Sequence, residues 1–420
     1  MIGIPRHSFR ITLASACALV VALTLTGCKL GDNGLQKTSL SSGSGVEDFA
    51  RGTGSPALTT SNTIRIPGSD PAANAAGAAI TVYPSSSSFT KPSAVSVVGE
   101  DDWRGAIAMG VLTAAPIKAP MLLSDAKDMP DVTKSAMAAL SPSGVVIPGQ
   151  TLHPKAFVAG NLKLPDRTAR VNLSNNTYET LSLAVDKLWT RLSGGEPSDT
   201  VIVTTADPRF KRYALPAGPL AGHTASPVFF VNGDRVPLAT LRAIQSHKKP
   251  SIYVVGPKFV ISDQLLTVLR KYGNVRRISG TDPVSNAKQV GWFSDPNTAW
   301  GWGISDPGHG FVIMNSHNEM NVAAATTLAN GAAFGPLLLN SNANVVDHAL
   351  RDYLLDVQSA YIDDPSTAVY NRAWLLGDEK QLSPGIQATF DKLLAVTQLQ
   401  QEGSTGSAGQ SESGATAVTP

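Results

Sequence analysis

The sequence predicts an α/β fold made of three tandem Rossmann-like domains, each with a parallel sheet. Two observations lead to this prediction. One pattern of roughly a hundred residues occurs three times in the 420-residue chain, and each copy alternates short apolar segments with segments of helical periodicity. Strands that are apolar throughout are typical of parallel sheets covered on both faces and joined by right-handed crossovers.

Three markers define the repeat. A proline that opens an apolar run recurs at intervals of 107 and 109 residues, at Pro120, Pro227 and Pro336. An arginine ahead of a second segment recurs at intervals of 105 and 107 residues, at Arg65, Arg170 and Arg277. An apolar run that ends in glycine recurs less regularly, at Gly160, Gly256 and Gly377. A period this long exceeds that of solenoid units, so each copy is expected to be a compact domain.

The second copy shows the individual elements most clearly. Its predicted elements are a helix at 181–192, a strand at 201–204, a helix at 214–221, a strand at 228–231, a helix at 237–244, a strand at 252–255 and a helix beginning near 262. Copies one and three fit the same frame. Their predicted strands lie near 94–98 and 121–123, and near 311–314 and 337–339.

These elements divide the chain into six segments. The predicted segments are a signal peptide at 1–27, a flexible linker at 28–61, repeat domains at 62–165, 166–273 and 274–398, and a disordered tail at 399–420. The linker and the tail are rich in small and polar residues, which cannot bury a core.

The amino terminus carries an export signal. A basic stretch with Arg6 and Arg10 precedes an apolar run that ends in Leu25-Thr26-Gly27-Cys28. This ending resembles the bacterial lipobox, which implies lipidation of Cys28 and cleavage before it. The alternatives are an ordinary signal peptide or a single membrane helix with an incidental cysteine. Cys17 lies within the segment that would be removed, so we expect no disulfide in the mature chain.

The charge balance argues against nucleic-acid binding. The formal net charge is +2, and both excess positive charges, Arg6 and Arg10, belong to the signal. The remaining chain therefore has no overall excess of positive charge with which to attract a polyanion such as DNA or RNA.

Motifs for chemistry are missing from the sequence. It has no Gly-x-Ser-x-Gly turn, no His-Glu-x-x-His pair, no Walker loop and no Gly-x-Gly-x-x-Gly turn. We therefore expect no enzyme activity, no metal site and no cofactor. Three tryptophans, Trp292, Trp300 and Trp302, lie among glycines, where they could stack on sugars or be buried between domains.

The repeat resembles a known family. Arg277-Ile278-Ser279-Gly280-Thr281-Asp282 and Ile252-Tyr253-Val254-Val255-Gly256 are similar to motifs of the cell wall-binding repeat 2 family, which occurs in threes in exported proteins of Gram-positive bacteria. The resemblance covers roughly residues 63–396. It implies noncovalent binding to anionic wall polymers and packing of the three domains with pseudo-threefold symmetry.

The repeated arginines are the candidate binding residues. A guanidinium forms paired hydrogen bonds with phosphate or carboxylate, and Arg65, Arg170 and Arg277 could present a symmetric set of three. The alternative is that each arginine pairs with an acidic residue inside the scaffold.

Two functions therefore remain open. The first is a lipid-anchored protein on the extracytoplasmic face of the cell membrane that binds wall glycopolymer or peptidoglycan without catalysis. The second is a structural or assembly lipoprotein that uses the same surfaces to hold a protein partner of the envelope.

Overall fold

The structure is a computed structural model, and it describes residues 59–173 and 177–399. The predicted signal peptide, Cys28, most of the linker and all but the first residue of the tail lie outside the described residues. Within these ranges, no helix is both long enough and apolar enough to cross a membrane.

The described chain contains fourteen strands and twelve α-helices. The strands are β1 (Thr63–Ile66), β2 (Val95–Gly99), β3 (Met121–Ser124), β4 (Ala156–Val158), β5 (Arg170–Asn172), β6 (Thr200–Thr205), β7 (Val228–Val231), β8 (Ser251–Val255), β9 (Asn274–Ile278), β10 (Gly310–Asn315), β11 (Leu337–Asn340), β12 (Ala360–Tyr361), β13 (Arg372–Leu376) and β14 (Thr397–Gln398). The helices are α1 (Pro71–Val82), α2 (Trp103–Ala108), α3 (Asp131–Leu140), α4 (Tyr178–Leu192), α5 (Lys211–Ala214), α6 (Ala217–Thr224), α7 (Leu238–Ser246), α8 (Asp263–Leu269), α9 (Pro283–Trp292), α10 (Val322–Leu328), α11 (His348–Asp356) and α12 (Pro384–Leu394).

Three four-stranded parallel sheets form the framework. Their strand orders are β3-β2-β4-β5 in the first sheet, β7-β6-β8-β9 in the second and β1-β13-β10-β11 in the third. In each sheet, the strand that follows the opening strand of the repeat (β2, β6 or β10) lies between the two strands that come after it, as β6 lies between β7 and β8. The inner strands are buried, because helices cover both faces, whereas the edge strands β5 and β9 are largely exposed. The predicted α/β fold with tandem Rossmann-like units and parallel sheets is confirmed.

Each sheet borrows its fourth strand from the next repeat. β5 opens the second repeat and pairs with β4 of the first, and β9 opens the third repeat and pairs with β8 of the second. The third sheet has no following repeat, and β1 from the start of the chain takes the place instead, from Thr63 opposite Ala373 to Ile66 opposite Leu376. The sheets are thus offset from the sequence repeats by one strand, and the chain closes into a ring.

The helix after each borrowed strand bridges two sheets. α1 packs on α10 of the third sheet and on β3 of the first, α4 packs on α2 and β7, and α9 packs on α5 and β11. Asp70 and Asp282 cap two of these helices, five positions after Arg65 and Arg277: Asp70 accepts from the backbone N–H of Ala73, and Asp282 accepts from those of Val284 and Ser285. The three bridges bind the sheets into one body.

The equivalent inner helices of the three repeats meet at the centre. α2, with the 3₁₀ turn Met109–Thr113 that continues it, packs against α6 and α10. Small residues stand at equivalent positions 108 residues apart, at Gly110, Gly218 and Thr326. A Cβ atom on Gly110 would lie 2.4 Å from the carbonyl oxygen of Gly218, so these backbones touch directly. This convergence of equivalent helices is the pseudo-threefold packing that was expected.

Candidate functional site

Arg65 is part of the core. Its side chain is 1% exposed, and Nε donates to Oε1 of Gln387 at 2.8 Å while Nη1 donates to the carbonyl oxygens of Gly377 at 2.8 Å and Asp378 at 3.1 Å. Burial lowers the pKa of the guanidinium, and the nearby carboxylates of Glu379 and Asp378 partly offset this. Arg65 therefore fastens β1 to the end of β13, and the prediction that it contacts an external polymer is wrong.

Arg277 makes the corresponding contacts in the second sheet. Nη1 donates to the carbonyl oxygen of Gly256 at 2.7 Å, and Nη2 donates to the carbonyl oxygen of Ile261 at 2.7 Å and to Oδ1 of Asp263 at 3.0 Å. The side chain is mostly buried, and its charge is paired with Asp263. Arg277 pairs with an acid inside its own fold unit, which is the alternative that the sequence left open.

Arg170 is not the structural equivalent of these two arginines. Arg65 lies opposite Leu375, which is two residues before Gly377. Arg277 lies opposite Val254, which is two residues before Gly256. In the first sheet that place, opposite Val158, belongs to Asn172. The helix caps agree, because Thr177 caps α4 five residues after Asn172. The expected symmetric set of three arginines is therefore wrong, because the residue of the first sheet that is equivalent to Arg65 and Arg277 is Asn172, two residues after Arg170.

A missing helix explains the difference. In the second repeat, 21 residues separate Gly256 from Arg277 and contain α8, whereas in the first repeat only 12 separate Gly160 from Asn172. The first repeat has an irregular loop there, which we call the 161–169 loop. Arg65 and Arg277 each bind atoms supplied by or just before such a helix, and the first sheet lacks these acceptors. Asn172 stands there instead.

The 161–169 loop forms one side of a polar cleft. This cleft has a volume of about 250 Å³. It is lined by Ala126, Asn161, Leu162, Lys163, Leu164, Pro165, Asp166, Arg167, Thr168 and Arg170. Lys163, Arg167 and Arg170 are exposed, and none of them forms an ion pair within the described residues. The sequence repeat pointed to Arg170 alone, because Lys163 and Arg167 belong to none of its markers.

A larger, more apolar cleft lies on the other side of the loop, between the loop and α3. Its volume is about 570 Å³, and the side chains that line it include Met129, Met137, Ala138 and Leu164. Lys134 and the exposed Lys155 stand at its rim. Lys134 is already paired with Asp128 at 3.2 Å and with Asp131 at 3.0 Å.

The tryptophan cluster is used mainly for packing between repeats. Trp300 stacks on Tyr253 of the second sheet with ring centroids 3.5 Å apart, and its Nε1 donates to Oγ of Ser226. Trp302 stacks on His223 at 3.8 Å. Only Trp292 is substantially exposed, at 41%. The aromatic rings of Trp300 and Trp302 are thus occupied by protein partners.

The one buried ion pair that contains a histidine, within the described ranges, lies away from the clefts. Nε2 of His247 contacts Oδ2 of Asp186 at 3.2 Å, and Nδ1 donates to the carbonyl oxygen of Ser198 at 2.7 Å. Burial lowers the pKa of His247, but Asp186 and the Ser198 carbonyl outweigh it and hold the pKa above its usual value. With both ring nitrogens occupied and no solvent access, His247 is a structural residue rather than a general base. No group of three or more metal-ligating side chains is present within 59–173 and 177–399.

Comparison with known proteins gives likenesses at the level of the fold and of one segment. No model of a known protein family matches the chain. The "Amidase enhancer" of Bacillus subtilis is 32% identical over 184 residues, which are 40% of this chain and 24% of that protein, so the chain spans about a quarter of this curated relative. Two solved structures from Clostridium difficile share the fold over 80% of this chain. Cwp8 matches with a TM-score of 0.57 and 14% identity, and the match covers 53% of its own chain. Cwp6 matches with a TM-score of 0.58 and 16% identity, and the match covers 48% of its own chain.

Proposed function

We propose that this protein is a non-catalytic component of the cell envelope that binds an anionic wall polymer, held at the extracytoplasmic face of the membrane by a lipid on Cys28. The fold it shares with two Cwp proteins supports a place in the cell wall, and the relative named as an amidase enhancer supports a role beside wall enzymes rather than as one. The lipobox pattern before Cys28 supports the anchor.

The observation that carries the polymer proposal is the polar cleft with its unpaired cations. Lys163, Arg167 and Arg170 line one cleft, and Lys155 lies at the rim beyond the loop. None of these cations forms an ion pair among the described residues, and Asp166 is the one acid in the lining of the cleft. Guanidinium and ammonium groups bind phosphate and carboxylate through charge-assisted hydrogen bonds. A row of such groups on an open surface suits a repeating anionic chain.

Removing these charges is expected to weaken wall binding strongly. In a chain that begins at residue 28 with Cys28→Ser, replacing Lys155, Lys163, Arg167 and Arg170 together by glutamine should weaken cosedimentation with purified walls about tenfold or more. Binding by the unaltered cleft should also weaken as salt is raised, because the groups are exposed and their charges are screened. Acid extraction of anionic polymers from the walls should remove the binding altogether.

The matched control removes as many positive charges elsewhere. Lys187, Arg242, Lys249 and Lys271 are exposed cations of the second repeat without an ion pair among the described residues. Their glutamine variant should sediment with walls as the parent does. Equal losses of wall binding in both variants would mean that net charge alone, and not the cleft, causes the effect. Undiminished binding to acid-extracted walls would exclude an anionic polymer as the ligand.

The lipid anchor has its own test. With the signal intact, the full chain should partition into the detergent phase of Triton X-114 extracts of cells, and Cys28→Ser should move it to the aqueous phase or the medium. A Cys28→Ser chain that stays in the detergent phase would show that the apolar segment before it, not a lipid, holds the protein.

A second candidate function is to hold a protein partner at the envelope. The name of the Bacillus relative favours it, since an enhancer must act on or beside another protein. Loss of polymer binding in the experiments above would leave this candidate in place.

A further inference from the structure

The first repeat has an empty place where the other two repeats carry a helix. In the third repeat, α12 packs beside α11 and over β13 and β1. In the second repeat, α8 buries Leu265, Leu266 and Leu269 in the same cluster as α7 and the outer face of β8. In the first repeat, the corresponding core contains Leu164, a buried side chain of the 161–169 loop. The rest of the helix position is the 570 Å³ cleft.

The floor of this cleft is apolar and adaptable. Met129 and Met137 are nearly fully buried beneath it, and Leu164 lies opposite them. Ala138 is exposed at its edge, although it lies on the helix that flanks the cleft. Methionine side chains are flexible and polarisable, so they accommodate varied apolar side chains. A surface of this kind fits the apolar face of a helix better than it fits a polar sugar chain.

The rim adds a charge preference. Lys155, Lys163 and Arg167 surround the cleft without ion pairs among the described residues, and Asp166 is the single acid in its lining. A partner helix with acidic residues along its edges would therefore be matched on both sides of its apolar stripe.

We propose that the cleft between α3 and the 161–169 loop is a docking site for an amphipathic, acidic-edged helix of about two to three turns from a partner protein. The helix would occupy the place that α8 and α12 fill in the other repeats. Residues 400–420 of this chain do not suit the role, because they are nearly all small and polar. This proposal shares the rim cations Lys155, Lys163 and Arg167 with the polymer proposal, but it rests on the apolar floor of the cleft, which the polymer proposal does not use.

The probe is a peptide derived from α8, the helix that fills the equivalent position in the second repeat. It has the sequence of residues 257–272, which contain α8, with Arg270→Glu and Lys271→Glu to give acidic edges. Titration of the labelled peptide with the Cys28→Ser chain should give saturable binding in the range of tens of micromolar, since so short a helix must fold as it binds. The same peptide with Leu265, Leu266 and Leu269 replaced by serine should not bind.

Two single substitutions on α3 test the location. Ala138→Glu places a carboxylate at the edge of the cleft and should weaken binding of the peptide at least about tenfold. Ala139→Glu alters an equally exposed alanine that does not line the cleft and should leave binding unchanged. Both positions are exposed on the same helix, so the two variants should fold equally well. The peptide assay contains no cell walls, and the serine-substituted peptide keeps every charge of the probe, so failure of this proposal is distinct from failure of the polymer proposal.

Two outcomes would overturn the proposal. One is the absence of saturable binding up to millimolar peptide. The other is binding that Ala138→Glu and Ala139→Glu affect equally, which would place the peptide elsewhere on the surface.

Discussion

Replacing Arg65 by methionine is expected to lower the free energy of unfolding by about 2–4 kcal/mol. The substitution keeps the length of the side chain but leaves the buried carbonyl oxygens of Gly377 and Asp378, and Oε1 of Gln387, without their donor. The loss is moderated because Nη2 of Arg65 is itself buried without a partner and disappears with the change. The check is the midpoint of unfolding in guanidinium chloride and on heating.

Arg170→Met is the matched control for this variant. It removes the same side chain from a borrowed strand, but Arg170 is exposed and has no ion pair among the described residues. Its midpoint should stay at that of the parent, while its binding to walls should fall. If Arg65→Met were as stable as Arg170→Met, the contacts of Arg65 would not hold β1 in the third sheet.

Gly110→Ala is expected to destabilise the protein by about 3 kcal/mol or to prevent its folding. The added Cβ would lie 2.4 Å from the carbonyl oxygen of Gly218 and 3.1 Å from its Cα. These are backbone atoms of another repeat's inner helix, so relief requires two helices to separate at the centre of the molecule. Circular dichroism and thermal unfolding measure the loss.

The control for this prediction is Gly385→Ala. Gly385 lies in the first turn of α12, and a Cβ there would meet nothing closer than Oγ of Ser383 at 3.8 Å. Alanine has the higher helix propensity, so this variant should be as stable as the parent or slightly more stable. A Gly110→Ala protein with the parent's unfolding midpoint would mean that the inner helices are not in direct backbone contact.

The sequence predicts the fold class because the information is local. Apolar strands and helical periodicity are visible within each copy, and all the strands predicted in the second copy appear as β6, β7 and β8. The partner of the opening strand is not visible in this way. A strand such as Thr200–Thr205 shows its burial in its own residues, but which sheet accepts β5 or β9 depends on packing between repeats.

The candidate site was only partly predictable. Arg170 resembles Arg65 and Arg277 because all three precede an aliphatic residue. The spacing to the helix caps differs, because Asp70 and Asp282 lie five residues after Arg65 and Arg277, whereas Thr177 lies seven residues after Arg170. The spacing from Gly160 to Asn172, nine residues shorter than that from Gly256 to Arg277, could have revealed the missing helix and directed attention to Lys163 and Arg167. The burial of Arg65 ran against expectation, since arginine is mostly exposed.

The placement of β1 in the third sheet restricts how this protein is made and how it can change. β1 is the first strand of the described chain to leave the ribosome, and its partner β13 follows only about 310 residues later, since Thr63 pairs with Ala373. The third sheet therefore stays incomplete until synthesis is nearly finished, whereas the first and second sheets are complete once β5 and β9 have been made. The same arrangement fixes the number of repeats over evolutionary time, because losing or adding one unit would change the angle through which the remaining units must turn to bring the ends together. A linear array can grow by one unit at a time, whereas this architecture can be altered only as a whole.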